Sequence, residues 1–352
     1  MRFNHILIKL KTFKNIIKAI SKLIFKMTNI FTITSFSYPN FIYDKILYTD
    51  YAFDILNTLF QEEQKYQVKF NLTQEHLREY VIHVIEWFAR TRHYSNATIH
   101  LATLYMDIHM NRYLLSENVQ HLRLTTLVAT MLAAKSNEIV DNIPPIKDFI
   151  SHGFVDLQEE IGVNFMKKEE YTQEQLKVAY KKYAKLYANI EFIIFESLQF
   201  SLTRPTTITF LEIFSKIAVT EDDMNNLEKK HREKFDSFES LNQQVNKHIR
   251  VLSMIVLYHI EFHQYDPSKN AAAIIATSRF LVGIKKLWNI ELEFLTRASI
   301  DDIKPIIEIF VDNIHLMKEY LEKINTFDDE EFNEDSGFHS DGVLGTEEET
   351  SL

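Results

Sequence analysis

Glycine and proline are scarce in this chain, and their scarcity constrains its fold more than any other feature. Only six of each occur among 352 residues, and three of the glycines (Gly337, Gly342 and Gly345) lie close to the C-terminal end. Tight turns and breaks in secondary structure rely on these two residue types, so the rest of the chain has few places to reverse sharply. The sequence therefore predicts long helices and an all-α fold.

The composition excludes several classes of function. Hydrophobic residues make up 46% of the chain, enough for two domains that each bury a core. Without cysteine there is no disulfide, no thiolate nucleophile and no thiolate metal site. The isolated Gly162 and Gly283 cannot build a phosphate-binding glycine loop. A net charge of −10 disfavours a nucleic-acid surface, although it allows a local basic patch.

The two ends of the chain differ from its middle. Residues 1–43 place lysines among Ile, Leu and Phe and contain no Asp or Glu, a pattern typical of a basic amphipathic helix. We expect residues 1–48 to be a basic hydrophobic helical extension, which could serve as a membrane-surface or targeting segment, a dispensable leader or a nuclear-import-like stretch. Residues 327–352 are strongly acidic and are predicted to be a disordered tail. No apolar run reaches the length of about 18 residues that spans a bilayer.

Helical spacing of apolar residues begins near Thr73, and several start signals are legible. Thr172 followed by Gln175 predicts a capping box, and Asp266 followed by Pro267 predicts a capped helix start. Between residues 219 and 240 the chain is charged without a clean apolar stripe, which favours an exposed insertion. Helices are predicted at 73–92, 96–113, 118–136, 145–152, 172–200, 205–218, 241–263, 267–282, 288–295 and 299–323.

Two of the predicted helices are apolar on nearly every side, which is typical of a helix surrounded by others. They are LRLTTLVATMLAA at 122–134 and AAAIIATSRFLV at 271–282. Two central helices, each flanked by amphipathic ones, indicate two copies of one five-helix unit. The expected domain bounds are 49–203 and 204–326.

Several words of the sequence resemble the cyclin family, and within it the cyclin J group. The first helical unit, from about Leu77 to Phe210, resembles the cyclin box, and the stretch at 263–283 is similar to the matching helix of the cyclin C-terminal domain. The words are LREY (77–80), LATLYMDIHMNRY (101–113), AAKSNEIVDNIPPIKDFISHG (133–153) and HQYDPSKNAAAIIATSRFLVG (263–283).

Five separated positions carry the resemblance: Arg78, Asp107, Leu124, Lys135 and Glu191. In cyclins the matching arginine and aspartate form a structural ion pair, and the matching leucine belongs to the core. An unpaired guanidinium on an apolar helix face would be costly to bury, which agrees with such a pair. Loss of one partner of a buried pair typically costs about 3–5 kcal/mol.

The resemblance implies that Lys135 and Glu191 bind backbone groups of the mobile C-helix of a cyclin-dependent kinase. Further contacts at the same face are implied for Phe195, Phe200, Leu202 and Glu138. Two alternatives stay open. The first is that Lys135 and Glu191 form an ordinary surface ion pair. Likewise, Phe192, Phe195 and Phe200 could be a core stripe, as aromatic stripes at helical spacing usually are.

The sequence departs from the family pattern in two places. Ser136 and Asn137 precede Glu138 where many cyclins have an aromatic and two acidic residues after the lysine. The substrate-docking word is replaced by LREYV, with Val84 at the tryptophan position and Arg123 at the glutamine position. The identity of the kinase and the presence of a docking patch are therefore left open.

The expected function is that of a non-catalytic regulatory subunit of a cyclin-dependent kinase in cell-cycle control, in the nucleus or cytoplasm, without catalytic residues, cofactor or metal. No GxSxG or HExxH word is present. His259 and His263, on one predicted helix with Glu261 between them, lack an evident third metal ligand. The alternative is a cyclin-fold scaffold or transcription-associated adaptor that binds peptides or nucleic acid without activating a kinase, because fold alone does not fix function.

Overall fold

The computed structural model describes residues 52–65, 74–115, 118–146 and 169–315. Predictions for residues 1–48 and 327–352, for most of the helix at 145–152 and for the end of the helix at 299–323 lie outside these residues. The described helices are α1 Ala52–Lys65, α2 Glu75–Thr91, α3 Asn96–Arg112, α4 Val119–Asn137, α5 Gln173–Ser197, α6 Thr207–Phe214, α7 Glu221–Asn225, α8 Lys229–Arg232, α9 Phe238–Tyr258, α10 Pro267–Leu281, α11 Ile290–Thr296 and α12 Ile300–Asp312.

The first repeat, α2 to α5, is built around α4. Its helix α4 packs on α2, α3 and α5, and its apolar residues are buried on nearly all sides. Leu124 is 0% exposed, as expected for a core residue of a central helix. Ala129 and Ala133 are also fully buried, and their small side chains allow the neighbouring helices to approach closely. The prediction of a central helix at 122–134 is confirmed.

The second repeat, α6 to α12, is built around α10 in the same way. Helix α10 packs on α6, α9, α11 and α12, and its alanine and isoleucine side chains are fully buried. The all-α prediction is confirmed for the described residues, which contain only one isolated β-bridge, between Leu227 and Ile284. The fold thus consists of two helical units, and in each of them the other helices surround one apolar helix.

The helix α1 was not predicted, and it packs on the second repeat although it precedes the first along the chain. Leu56 is buried in the second core, with Leu59 and Phe60 packed beside it. The Phe60 ring lies 5.4 Å from the Phe210 ring, measured between centroids. These positions fall at i, i+3 and i+4, so one face of α1 is apolar and needs a partner surface.

The start of α10 shows how a distant residue can replace a local cap. Asp266 and Pro267 occupy the predicted positions, but the Asp266 side chain makes no capping hydrogen bond. Instead Glu63 of α1 accepts hydrogen bonds from the Ser268 backbone N–H at 2.6 Å and from the Ser268 hydroxyl at 2.8 Å. The capping box at Thr172 and Gln175 is present as predicted.

The prediction of an exposed insertion at 219–240 is wrong for its first half. Asp223 is 3% exposed and Leu227 is 0% exposed, while Lys229 and Lys230 beyond them face solvent. Asp223 is buried because it neutralises Arg279, which is itself 0% exposed. The two carboxylate oxygens accept from the two guanidinium Nη atoms at 2.8 Å each. A charged sequence can therefore be core when its charge has a buried partner.

We predict that Asp223→Ala lowers the free energy of unfolding by about 3–5 kcal/mol, because the Arg279 guanidinium would be left buried without a counter-charge. Urea denaturation followed by circular dichroism measures this change. The control is Asp222→Ala, which removes an exposed carboxylate of the same helix. Equal effects of the two substitutions would contradict a buried ion pair.

Candidate functional site

Lys135 and Glu191 meet at the surface of the first repeat. Lys135 lies in the last turn of α4 and Glu191 near the C-terminal end of α5. The Lys135 Nζ lies 2.6 Å from the Glu191 Oε1, and the two side chains are 39% and 22% exposed. Both groups are thus held in one place while part of each stays accessible to another molecule.

A buried tyrosine ring contacts the lysine of this ion pair. The Lys135 ammonium lies 5.6 Å from the centre of the Tyr187 ring, within the range of a cation–π contact. Tyr187 precedes Glu191 by one helical turn and is 1% exposed, and burial raises the pKa of its hydroxyl. Tyr187 is not among the residues predicted from the sequence, although its i, i+4 spacing from Glu191 places the two on one face of α5.

The residues after Lys135 bind the start of α3. Asn137 Nδ2 donates to Ser95 Oγ at 2.9 Å and to Thr98 Oγ1 at 3.0 Å. Glu138 Oε1 accepts from the Ser95 backbone N–H at 2.8 Å, from Ser95 Oγ and from Thr98 Oγ1. Burial acts against ionisation of Glu138, yet these hydrogen bonds lower its pKa overall. The departure from the family pattern at Asn137 thus has an intramolecular role, and Glu138 stays a prediction as a partner contact.

Aromatic side chains continue the surface beyond Glu191. Phe192 is 59% exposed and Phe200 is 64% exposed, and their ring centroids lie 6.2 Å apart. Phe195 stacks on Phe200 at 6.4 Å and is half-buried against the first core. Two rings of this group therefore face solvent, so the stripe is not simply core.

The backbone that presents Phe200 is strained and well anchored. Gln199 and Phe200 have φ angles of +54° and +58°, in the left-handed region that residues with a Cβ rarely adopt. Tyr105 Oη donates to the Leu202 carbonyl at 2.7 Å, and Arg204 Nη2 donates to the Leu198 carbonyl at 2.7 Å. Leu202 is partly buried against the first core. These contacts hold the turn in a conformation that projects the Phe200 ring outward.

Arg78 and Asp107 lie inside the molecule, where the repeats meet. The Arg78 Nε donates to Asp107 Oδ1 at 2.8 Å and Nη2 donates to Asp107 Oδ2 at 3.0 Å, with both side chains buried. Arg78 Nη1 donates to the Leu257 carbonyl of the second repeat. One guanidinium thus connects α2, α3 and the end of α9.

His263 completes this network. Its Nε2 lies 2.7 Å from Arg78 Nη2, and because a guanidinium cannot accept a hydrogen bond, the Nε2 must be the unprotonated acceptor. The helix predicted at 241–263 ends earlier, at Tyr258, and His263 lies in the following 3-10 turn. His259 and His263 are therefore not on one α-helix. Within the described residues no three His, Cys, Asp or Glu side chains are grouped as metal ligands.

The region that corresponds to the substrate-docking motif of cyclins differs from the family pattern in where its tryptophan lies. Val84, at the tryptophan position, is 7% exposed, while Trp87 one turn later is 42% exposed. The Arg123 guanidinium lies 5.0 Å from the Trp87 ring centre. A tryptophan is thus present on this face, but at another position of α2.

Comparison with known proteins assigns the family. A family model of the cyclin N-terminal domain matches residues 54–203, and one of the cyclin C-terminal domain matches residues 205–330. The chain belongs to the cyclin family. The two matches meet at Arg204, in the segment between α5 and α6. Cyclins are generally regulatory rather than catalytic proteins.

Cyclin-J of Xenopus laevis is 26% identical to this cyclin over 258 residues, which is 73% of the chain and 60% of that protein. Human cyclin-J is 26% identical over 59% of the chain and 46% of its own length. The G2/mitotic-specific cyclin-B2 of Macaca fascicularis is 24% identical over 68% of the chain and 48% of its own length. The matches thus span about half of these relatives. None of the helices described for this cyclin is both long and apolar enough to cross a membrane.

The His263 contact predicts a dependence of stability on pH. Burial and the neighbouring Arg78 lower the pKa of His263 from 6.5 to about 4, so the unfolded chain binds this proton more readily than the folded one. Stability from this group is complete above pH 6.5 and is lost as pH falls toward 4. Between pH 7 and pH 5 we expect a loss of about 2 kcal/mol that His263→Gln removes.

Urea denaturation at the two pH values measures the loss, with His76→Gln as the control because His76 is exposed on α2. An unchanged pH dependence in His263→Gln would show that the imidazole is not held in its neutral form.

Proposed function

We propose that this cyclin binds and activates a cyclin-dependent serine/threonine kinase in cell-cycle control, acting in the nucleus, the cytoplasm or both. The observation that carries the proposal is the partly exposed Lys135–Glu191 pair beside the exposed rings of Phe192 and Phe200. Exposed apolar groups that lie side by side, as these two rings do, mark interaction sites more often than single exposed residues do. A charged pair surrounded by such rings is typical of a binding hot spot.

The mechanism is a shift in the conformational population of the kinase. A protein kinase is active when its C-helix is turned inward and a glutamate on it pairs with the lysine that positions ATP. A partner that binds the inward state more tightly shifts the equilibrium by its differential affinity. The rigid face of α4 and α5 is suited to this task because the central helix α4 cannot move without disrupting the first core.

The proposed roles are divided among the site residues. Lys135 and Glu191 provide a donor and an acceptor for backbone groups of the kinase C-helix. Phe195, Phe200 and Leu202 provide the apolar contact. ATP, Mg²⁺ and the reaction itself belong to the kinase, which also brings its protein substrates to the complex.

We predict that the double substitution Lys135→Ala and Glu191→Ala abolishes co-purification of a cyclin-dependent kinase and the associated kinase activity. The fold should be retained, because a partly exposed ion pair contributes at most about 1 kcal/mol. Affinity purification of the tagged chain followed by mass spectrometry and a kinase assay measures both outcomes.

The matched control is Lys181→Ala with Glu174→Ala, which removes one exposed charge of each sign from the first half of α5. This control should purify with the kinase as well as the unmodified chain does. Kinase that binds without being activated would favour a scaffold, and nucleic acid recovered without kinase would favour the transcription-associated adaptor.

A second substitution separates binding from folding. Phe200 has a φ of +58°, which costs a residue with a Cβ about 1–2 kcal/mol, whereas glycine adopts it freely. We predict that Phe200→Gly keeps or raises the melting temperature while kinase affinity falls at least tenfold, on the order of 1.4 kcal/mol, through loss of the ring.

Calorimetry and surface plasmon resonance with the purified kinase measure the two quantities. The control is Phe294→Ala, which removes a ring that is 37% exposed on the second repeat. If Phe200→Gly binds the kinase as tightly as the unmodified chain, the ring has no place in the interface.

A further inference from the structure

A cavity of about 590 Å³ lies between the two repeats, and neither Lys135 nor Glu191 is among the residues that line it. Its walls come from α1, α3, the segment between α5 and α6, the end of α9 and the start of α10. Glu261 and Gln264 at its edge are exposed, so the cavity is open to solvent. Its volume falls in the range of small-ligand sites.

The cavity has an excess of negative charge. Its lining includes the carboxylates of Glu62, Glu63, Asp107, Glu261 and Asp266. Asp107 is neutralised by Arg78, Asp266 lies 3.1 Å from the Lys269 ammonium, and Glu62 lies 3.6 Å from the Lys65 ammonium. The guanidinium of Arg204 also lines the cavity, but two backbone carbonyls already accept its hydrogen bonds.

Glu63 is the carboxylate whose environment most needs a cation. It is 5% exposed, and none of the cations in the described ranges forms an ion pair with it. Lys269 attracts it at longer range, but Lys269 is paired with Asp266, whose own charge repels Glu63. Its hydrogen bonds from Ser268 use one lone pair on each oxygen, which leaves acceptor capacity on both. Burial raises the pKa of Glu63 to about 6, although the Ser268 hydrogen bonds oppose the shift. At neutral pH the group is therefore a buried anion, which is costly unless a cation compensates it.

Two further buried polar atoms belong to residues of this lining. His100 is 3% exposed and its Nε2 has no hydrogen-bond partner, and Asn270 is 4% exposed and its Oδ1 has none. Burial lowers the pKa of His100 to about 3, so its ring is neutral and offers one acceptor nitrogen. The Asn270 Oδ1 can thus accept a hydrogen bond from a ligand, and the His100 Nε2 can do so in the tautomer that carries its proton on Nδ1.

We propose that this cavity binds an alkylguanidinium group, with its cation beside Glu63 and its alkyl chain against the apolar wall. A guanidinium carries five N–H donors in a plane, which suits several acceptors better than the compact ammonium does. Leu104, Val256 and Ile260 line the cavity and supply contact for the alkyl chain. The group could belong to a small alkylguanidine such as agmatine or to an arginine side chain of a peptide.

The test uses the purified full chain without any kinase, so it is independent of the proposed activation. Isothermal titration calorimetry is performed with agmatine, with a capped pentapeptide that carries one central arginine, and with n-butanol as a neutral apolar probe. We expect saturable one-to-one binding of at least one guanidinium probe, a rise in melting temperature, and no saturable binding of butanol. Agmatine alone would indicate a small-molecule site, and the peptide alone would indicate an arginine side chain.

Three variants locate the binding site. Leu104→Phe fills the cavity and Glu63→Gln removes the buried charge, and each should weaken guanidinium binding at least tenfold. Glu308→Gln, an exposed carboxylate in the middle of α12, should leave it unchanged. Circular dichroism checks that the variants are folded.

Measurements on the unmodified chain can by themselves overturn the proposal. They do so if butanol binds saturably and as strongly as agmatine, or if neither guanidinium probe binds saturably. Binding that persists in a folded Leu104→Phe variant would place the ligand elsewhere and overturn it as well.

Discussion

The structure depends on one buried guanidinium. Arg78 contacts Asp107 within its own repeat and, in the second repeat, the Leu257 carbonyl and the His263 ring. A cation at this depth is tolerated only when its donors are satisfied, so the α2–α3 contact and the junction between the repeats depend on the same group. Met254 and Leu257 at the end of α9 join the first core beside it. The relative position of the repeats is thus fixed by polar geometry as well as apolar packing.

The second repeat also contains a buried arginine that is paired with an aspartate. Arg279 donates to Asp223 through both Nη atoms, and its other donors reach the carbonyls of Ala218, Lys286 and Leu287. All five N–H donors are used, which accounts for a guanidinium that is 0% exposed. Because the acceptors come from separate turns, the one charge holds several segments of irregular backbone together.

Exposure distinguishes these pairs from the one at the candidate site. Lys135 and Glu191 lie as close together as Arg78 and Asp107 do, but they keep 39% and 22% of their side-chain surface. In water such a pair adds little stability, so its two groups can exchange part of their contact for a partner's backbone. The Tyr187 ring lies against the Lys135 ammonium and helps to fix its position.

The sequence by itself determined the helical class, the two central helices and the capping box at Thr172, because these follow from composition and spacing within a few turns. Resemblance to cyclins supplied Lys135 and Glu191, and their meeting across 56 residues appeared only in the tertiary structure. The same holds for Glu63 as the cap of α10, for the burial of Asp223 and for the break of the helix before His263. In each case a charged or polar group is placed by a partner distant along the chain, and local patterns carry no information about that partner.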